Sequence, residues 1–228
     1  MSSFAIALAL LAGAADGESR VGSRLDPAMR QVNNADMSEL NGALYRFMEC
    51  AVARREVRVR AFIDARDVET MKQNYVALSD VPRCSVGGYL GNDVDYISYN
   101  AEISVTRGFV AEAFIKKDRK RAEALSALPL QKTYSADWYA VTGRPQPFNE
   151  MATCVAATNP AGILALLRTG IGSKEEKAAV GTLAPSLGQC LATGYKLNAN
   201  RLSLRTALAE ALYHRTFDAP SGAVGGAN

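Results

Sequence analysis

From Leu40 onward the apolar positions Leu40, Leu44, Phe47, Met48 and Ala51 recur at three- and four-residue intervals. That period predicts an amphipathic helix with Cys50 beside its buried stripe. The same spacing returns in Phe109, Val110, Ala113 and Phe114, and again in Leu202, Leu204, Ala207, Leu208, Ala211 and Leu212. Start signals agree. Asp36-x-x-Glu39 and Ser173-x-x-Glu176 have the form of capping boxes, whose side chains satisfy free amides of a first helical turn. Asn159-Pro160 sets a capping residue before a proline at the first helical position, where its missing N–H has no partner to lose. Strand-like alternation is scarce: Val57–Val59 is short, and Asp93–Tyr99 is the one stretch with a fair claim. The pattern predicts an all-α fold.

The chain also repeats itself. The region from Cys50 to about Lys117 recurs, degenerately, from Cys154 to about Arg215. Each copy carries C-x3-G-Y-x2-N: Cys84, Gly88, Tyr89 and Asn92 in the first, Cys190, Gly194, Tyr195 and Asn198 in the second. Downstream, R-x3-A-E-A appears as Arg107 with Glu112 and as Arg205 with Glu210. Each copy then reads as a first helix bearing Cys, a short second helix (57–64 or 161–168), a third (68–79 or 174–184), a turn with the second Cys, and a closing helix. Gly88 and Gly194 would allow positive φ in that turn. Tyr89 and Tyr195 would pack inward with the hydroxyl reaching a partner, and Asn198 would cap the closing helix. In copy one, about eight extra residues after Asn92 delay that helix.

Four cysteines allow three pairings. If both copies fold alike, the pairing is Cys50 with Cys84 and Cys154 with Cys190, each closing a loop of about 35 residues. In the loop-entropy model each bridge is worth about 3–4 kcal/mol. Reduced core cysteines are the competing reading. A zinc site stands behind both, since structural zinc uses closely spaced Cys or His pairs and the single histidine, His214, lies at the far end.

Disulfides belong to oxidising compartments, and the N-terminus points the same way. Phe4–Ala15 is an apolar run, and Ala12-Gly13-Ala14 fits the small-residue cleavage pattern of a secretory signal. No Lys or Arg precedes it, so either the true start lies upstream of Met1 or the signal is a weak one; an N-terminal core helix is the alternative. The run is too short to span a bilayer, and no later segment is long and apolar enough. The expected division is a signal peptide at 1–15, disorder at 16–35, copy one at 36–121, and a connecting segment at 122–146. Copy two follows at 147–217, with a disordered tail at 218–228. Pro129, Pro145 and Pro147 interrupt the connection, while Trp138 and Tyr139 mark it as a piece that packs. Each copy alone would be marginal, so the two are expected to pack as one helical domain about a pseudo-twofold.

The net charge of +3 over a mixed surface is too modest to suggest nucleic acid. The basic cluster Lys116–Arg121 reads as a solvated helix end, its cations offsetting the helix dipole. Arg107, Glu112, Arg205 and Glu210 are the first suspects for a site. Five residues apart on a helix, the Arg and Glu of one copy do not face each other, so they would bridge to neighbouring helices. Their presence in both copies favours a structural role. The insertion Asn92–Glu102 clusters acids and tyrosines but fails the calcium-loop pattern, with Ile97 and Ser98 at its fifth and sixth positions counted from Asp93. It remains the best local place for an added function, such as a cation or glycan contact. His214 lacks any nucleophile motif around it and would interact with a helix terminus. A carboxylate pair drawn from Glu39, Glu49, Glu112 or Asp137 could hydrolyse glycosidic bonds if two of them met at working distance. No catalytic, cofactor-binding or metal-ligating set is assigned.

The L-x5/6-C-x3-G-Y pattern and the closing L-R-x-A-L-A-E-A-L-Y segment, Leu204–Tyr213, resemble those of small signal-peptide-bearing bacterial proteins of uncharacterised activity. The resemblance covers mainly copy two and implies a bacterial protein that is periplasmic or secreted. The expected function is an exported, non-enzymatic module for protein interaction or envelope maintenance, its partner a protein or envelope component. A small envelope hydrolase with paired carboxylates is the alternative.

Overall fold

The computed structural model describes residues 37–78, 81, 83–86 and 102–218. The expected signal peptide, the stretch before Met37, Gly88, Tyr89, Asn92, the strand candidate Asp93–Tyr99 and the tail after Asp218 lie outside the described residues. Among those described there are nine α-helices and no strand: α1 (Met37–Arg54), α2 (Glu56–Ile63), α3 (Val68–Leu78), α4 (Ile103–Lys117), α5 (Arg119–Glu123), α6 (Gln146–Thr158), α7 (Pro160–Leu167), α8 (Lys174–Cys190) and α9 (Arg201–Phe217). A 3-10 turn, Asp137–Val141, lies in the connection. Val57–Val59 is helical, inside α2.

The helix order α1-α2-α3-α4 is matched by α6-α7-α8-α9. In both halves a disulfide ties the first helix to the region where the third ends: Cys50 to Cys84, six residues past α3, with Cα atoms 5.8 Å apart, and Cys154 to Cys190, the last residue of α8, at 5.6 Å. The turn into the short second helix is sharp. Between α6 and α7 the axis bends by 103° at Asn159. There the Asn159 side chain accepts from the Gly162 amide at 2.9 Å, and Pro160 follows at the first helical position. The Ser173 hydroxyl likewise accepts from the Glu176 amide and starts α8.

Three local expectations change. Helix α8 does not stop near Ala184 but continues through Pro185 to Cys190, so Cys190 ends a helix rather than sitting in a turn. An interior proline removes one backbone bond, but buried Leu183 and Leu187 flank it and the bridge at Cys190 holds the last turn in place. The closing helix is capped by Asn200, which accepts from Ser203 N at 2.8 Å, while Asn198 is exposed two residues upstream. Gly194 has φ of +81°, but Tyr195 is only half-buried and its hydroxyl has no partner among the described residues. The 191–200 loop runs over the surface and offers that ring no pocket.

The two closing helices form the centre. In α4 every residue from Val105 to Ile115 is buried, and α9 is buried along most of its length. They approach closest at Gly108, where a Cβ would overlap the Thr206 side chain and crowd its backbone. Around this pair lie Phe62, Ile63, Met151, Val155, Ile163 and Leu166, all with essentially no exposure. The connection packs as well: Trp138 is buried, Leu128 N donates to Ala157 O, and Arg215 donates to the carbonyls of Ser126, Ala156 and Ala157.

Glycine substitutions at two positions should therefore act in opposite directions. Gly108→Ala should lower stability by about 3 kcal/mol, an overpacking penalty at a backbone crossing. Gly181→Ala, in an open stretch of α8 with nothing near its would-be Cβ, should raise it by about 0.5–1 kcal/mol; urea unfolding of both variants reads the contrast. Cys84→Ala should cost about 2–5 kcal/mol under oxidising conditions, and the difference from the parent should largely vanish in reductant.

Candidate functional site

At the Gly108–Thr206 crossing each closing helix sends an arginine to the other copy's glutamate. Arg107 Nε donates to Glu210 Oε1 at 2.6 Å. Arg205 grips Glu112 with two bonds, Nε to Oε2 at 2.8 Å and a terminal nitrogen to Oε1 at 2.5 Å. All four side chains are 2 % exposed or less. The remaining guanidinium protons go to carbonyls at the end of each copy's short helix. Arg107 donates to Phe62 O and Ile63 O, ending α2, and Arg205 to Leu166 O, Leu167 O and Thr169 O, ending α7. A cation there also offsets the negative end of the helix dipole.

A third residue joins each pair, and the two clusters differ in sign. Arg144, from the connection, donates to the second oxygen of Glu210 and to Ser104 O. Glu176 adds a second carboxylate to Arg205 at 3.1 Å, while its other oxygen accepts from the Gly172 amide. Among buried side chains, one cluster therefore holds two arginines and one glutamate and the other one arginine and two glutamates, with the half-exposed Arg201 3.9 Å from Glu176. Burial alone would raise the Glu210 carboxyl, but Arg107, Arg144 and His214 hold it below the usual carboxylate range. Burial raises Glu112 above that range; Arg205 pulls against the rise, and the charges of Glu49 and Glu176 add to it. The repeat marked the R-x3-A-E-A residues but not this exchange. Arg144 lies outside any repeated motif, and Glu176 was legible only as a cap.

The Glu112–Arg205 pair forms part of the floor of an open cleft of about 1010 Å³. Helix α1 supplies Glu39, Tyr45 and Glu49; Lys116 and Arg119 come from the α4–α5 junction; residues 167–171, after α7, close the other side. Three of the four acids considered for a carboxylate pair thus share one cleft, while Asp137 lies elsewhere beside Trp138. Two of these cleft acids are already engaged. Both oxygens of Glu112 take Arg205, and Glu49 bonds Lys116 and the Tyr45 hydroxyl. Burial, with the Glu112 and Glu49 charges, pushes that hydroxyl far above its ordinary range.

His214 does more than meet a helix end. Its ring is buried, stacks on Trp138 at 4.5 Å, bonds Asp218 through Nδ1 at 2.6 Å, and turns Nε2 toward Glu210 Oε1 at 3.9 Å. Asp218, placed by sequence in the disordered tail, is the C-cap residue of α9 and also pairs with Arg66. Nor is the basic cluster wholly solvated: Lys116 pairs with Glu49, Lys117 with Glu56, and Arg121 lies over Phe217. Of the Asn92–Glu102 insertion only Glu102 is described; it precedes α4 and accepts a hydrogen bond from the Ser104 hydroxyl. No group of three His, Cys, Asp or Glu side chains among the described residues could hold a metal. No single described helix is long and apolar enough to cross a membrane. No family model, curated protein or solved structure matches this chain.

The unequal clusters should respond unequally to mutation. Arg107→Met leaves Glu210 with Arg144, whereas Arg205→Met strands Glu112 and leaves Glu176 only the half-exposed Arg201 at 3.9 Å. The second should cost about 3–5 kcal/mol and the first clearly less, as read by denaturant unfolding at neutral pH. Glu210 also sets a pH dependence. A depressed carboxyl contributes stability above its unfolded value of about 4.3, and that contribution is lost as pH falls through the folded value. The stability gap between parent and Glu210→Gln should be full at pH 7 and shrink progressively below about pH 4.3.

Proposed function

We propose that this protein is an exported, non-enzymatic helical module. Two disulfide-stapled copies, arranged about a pseudo-twofold, present the cleft between them to a protein or other component of the bacterial envelope. The observation that carries the reading is the cleft itself, which both copies build over a buried ion pair joining them. Its walls carry both charge signs, Glu39 and Glu49 with Lys116 and Arg119, a surface suited to a polar, hydrogen-bonding partner. The two disulfides are compatible with an oxidising compartment. The apolar Phe4–Ala15 segment supports export. The reciprocal Arg107–Glu210 and Arg205–Glu112 bonds support the pseudo-twofold, since a rotation exchanging the copies exchanges the two pairs. The hydrolase reading gains a cleft with three acids but is disfavoured by the engagement of Glu49 and Glu112: a carboxylate held by two arginine nitrogens has little freedom to pass a proton.

The test is photo-crosslinking in the producing cell. A photoreactive residue at position 39, inside the cleft, should trap a discrete envelope component that the same residue at position 132, on the connecting segment, does not. Identical background from both positions would remove the binding reading. Release of reducing ends from cell-wall glycan, abolished by Glu112→Gln with the fold intact, would replace it with the hydrolase.

A further inference from the structure

The cations of this chain are unevenly placed. In residues 46–60 and 116–123, ten Lys or Arg stand against four Asp or Glu, an excess of six in a chain whose net charge is +3. The fold brings these two segments together. Lys116 pairs with Glu49 and Lys117 with Glu56, fastening the end of α4 to the α1–α2 corner. Arg60 lies 4.4 Å over Phe114 and 5.4 Å over Phe217, and Arg121 lies 5.0 Å over Phe217 from the other segment.

Those contacts leave a remainder. The side chains of Arg54, Arg55, Arg58, Arg119 and Lys120 are exposed and make no hydrogen bond or ion pair among the described residues. Offsetting helix dipoles does not account for them. The ends of α1 and α4 meet here, and each is equivalent to about half a negative charge, so together they call for about one cation. Between Arg55 and Arg58 stands Val57, 85 % exposed and the most exposed large apolar side chain among the described residues.

We propose that this corner is a docking surface for anionic phospholipid membranes, engaged peripherally and separately from the cleft reading above. The unpaired cations would meet headgroup phosphates, while Val57 would enter the apolar boundary just beneath them. A soluble polyanion could match the charge but has no apolar layer for the valine. Single-stranded nucleic acid would call for exposed rings on which bases stack, whereas Phe114 is buried and Phe217 is covered by two guanidinium groups. The rest of the chain carries the compensating negative excess, so a charged bilayer would orient the molecule with this corner toward it.

Vesicle co-sedimentation of the oxidised full chain tests the proposal. The protein should pellet with mixed phosphatidylglycerol–phosphatidylcholine vesicles, stay in solution with phosphatidylcholine alone, and dissociate as salt rises. Arg54→Glu combined with Arg58→Glu should weaken the association at least about tenfold, with thermal unfolding little changed because neither side chain has a hydrogen-bond or ion-pair partner among the described residues. Val57→Ser should weaken it without altering its salt dependence. Lys132→Glu with Lys177→Glu changes net charge equally away from the corner and should have far less effect. No binding to the anionic vesicles, equal loss from both double variants, or tighter retention on single-stranded DNA than on those vesicles at the same salt would overturn it.

Discussion

The structure depends on two buried ion pairs that cross between copies. A buried charge deprived of its partner costs about 3–5 kcal/mol, a large share of a typical domain stability of about 5–15 kcal/mol. Here four such charges sit where α4 crosses α9. Sliding or rotating one helix against the other by a turn would strand all four at once. Apolar contacts alone would tolerate neighbouring registers, because Ala, Val and Leu faces are interchangeable at modest loss. The ion pairs thus select a single register, and Gly108 lets the backbones come close enough for the arginines to reach. That geometry holds the rest in order, because the guanidinium groups also carry the ends of α2 and α7.

How much of this could be read in advance follows from what each feature depends on. The all-helical class and the cysteine pairing were legible because both rest on local or repeated information: 3.6-residue spacing, caps such as Ser173 and Asn159, and two cysteine intervals of nearly equal length. The partners of Arg107 and Arg205 were not. Repetition marks which residues recur, but it does not say whether each arginine meets the glutamate of its own copy or that of the other. Arg144 was silent because one arginine in an irregular Gly-Arg-Pro segment has no spacing to betray it. Helix α8 outran its expected end for a related reason: proline is a local stop signal, while the buried leucines and the bridge that override it are tertiary.

The cleft was the least legible feature, since its walls come from α1, the α4–α5 junction and the loop after α7, which are far apart in sequence. Listing Glu39, Glu49 and Glu112 as possible partners found three residues of one cleft without the means to know it. The same fold that gathers them pairs two of them, Glu49 with Lys116 and Glu112 with Arg205. Where acid and base are already paired, as at Glu112–Arg205 and Glu49–Lys116, the cleft presents a prearranged surface, and such a surface loses little side-chain freedom on binding.

The two halves are equal in plan and unequal in charge, and the inequality falls where it affects the surface. The cluster with the extra arginine is sealed beneath the connection, where Trp138 and His214 stack. The cluster with the extra glutamate opens, through Glu112 and Arg205, onto the cleft. In that cleft Lys116 pairs with Glu49, while Arg54, Arg55 and Arg58 at the α1–α2 corner are exposed and carry no ion pair among the described residues. Two halves with the same helix order therefore differ in the charge around their ion pairs. Each half keeps an Arg–Glu reach to the other, and the third residue added to each pair sets the charge of its cluster.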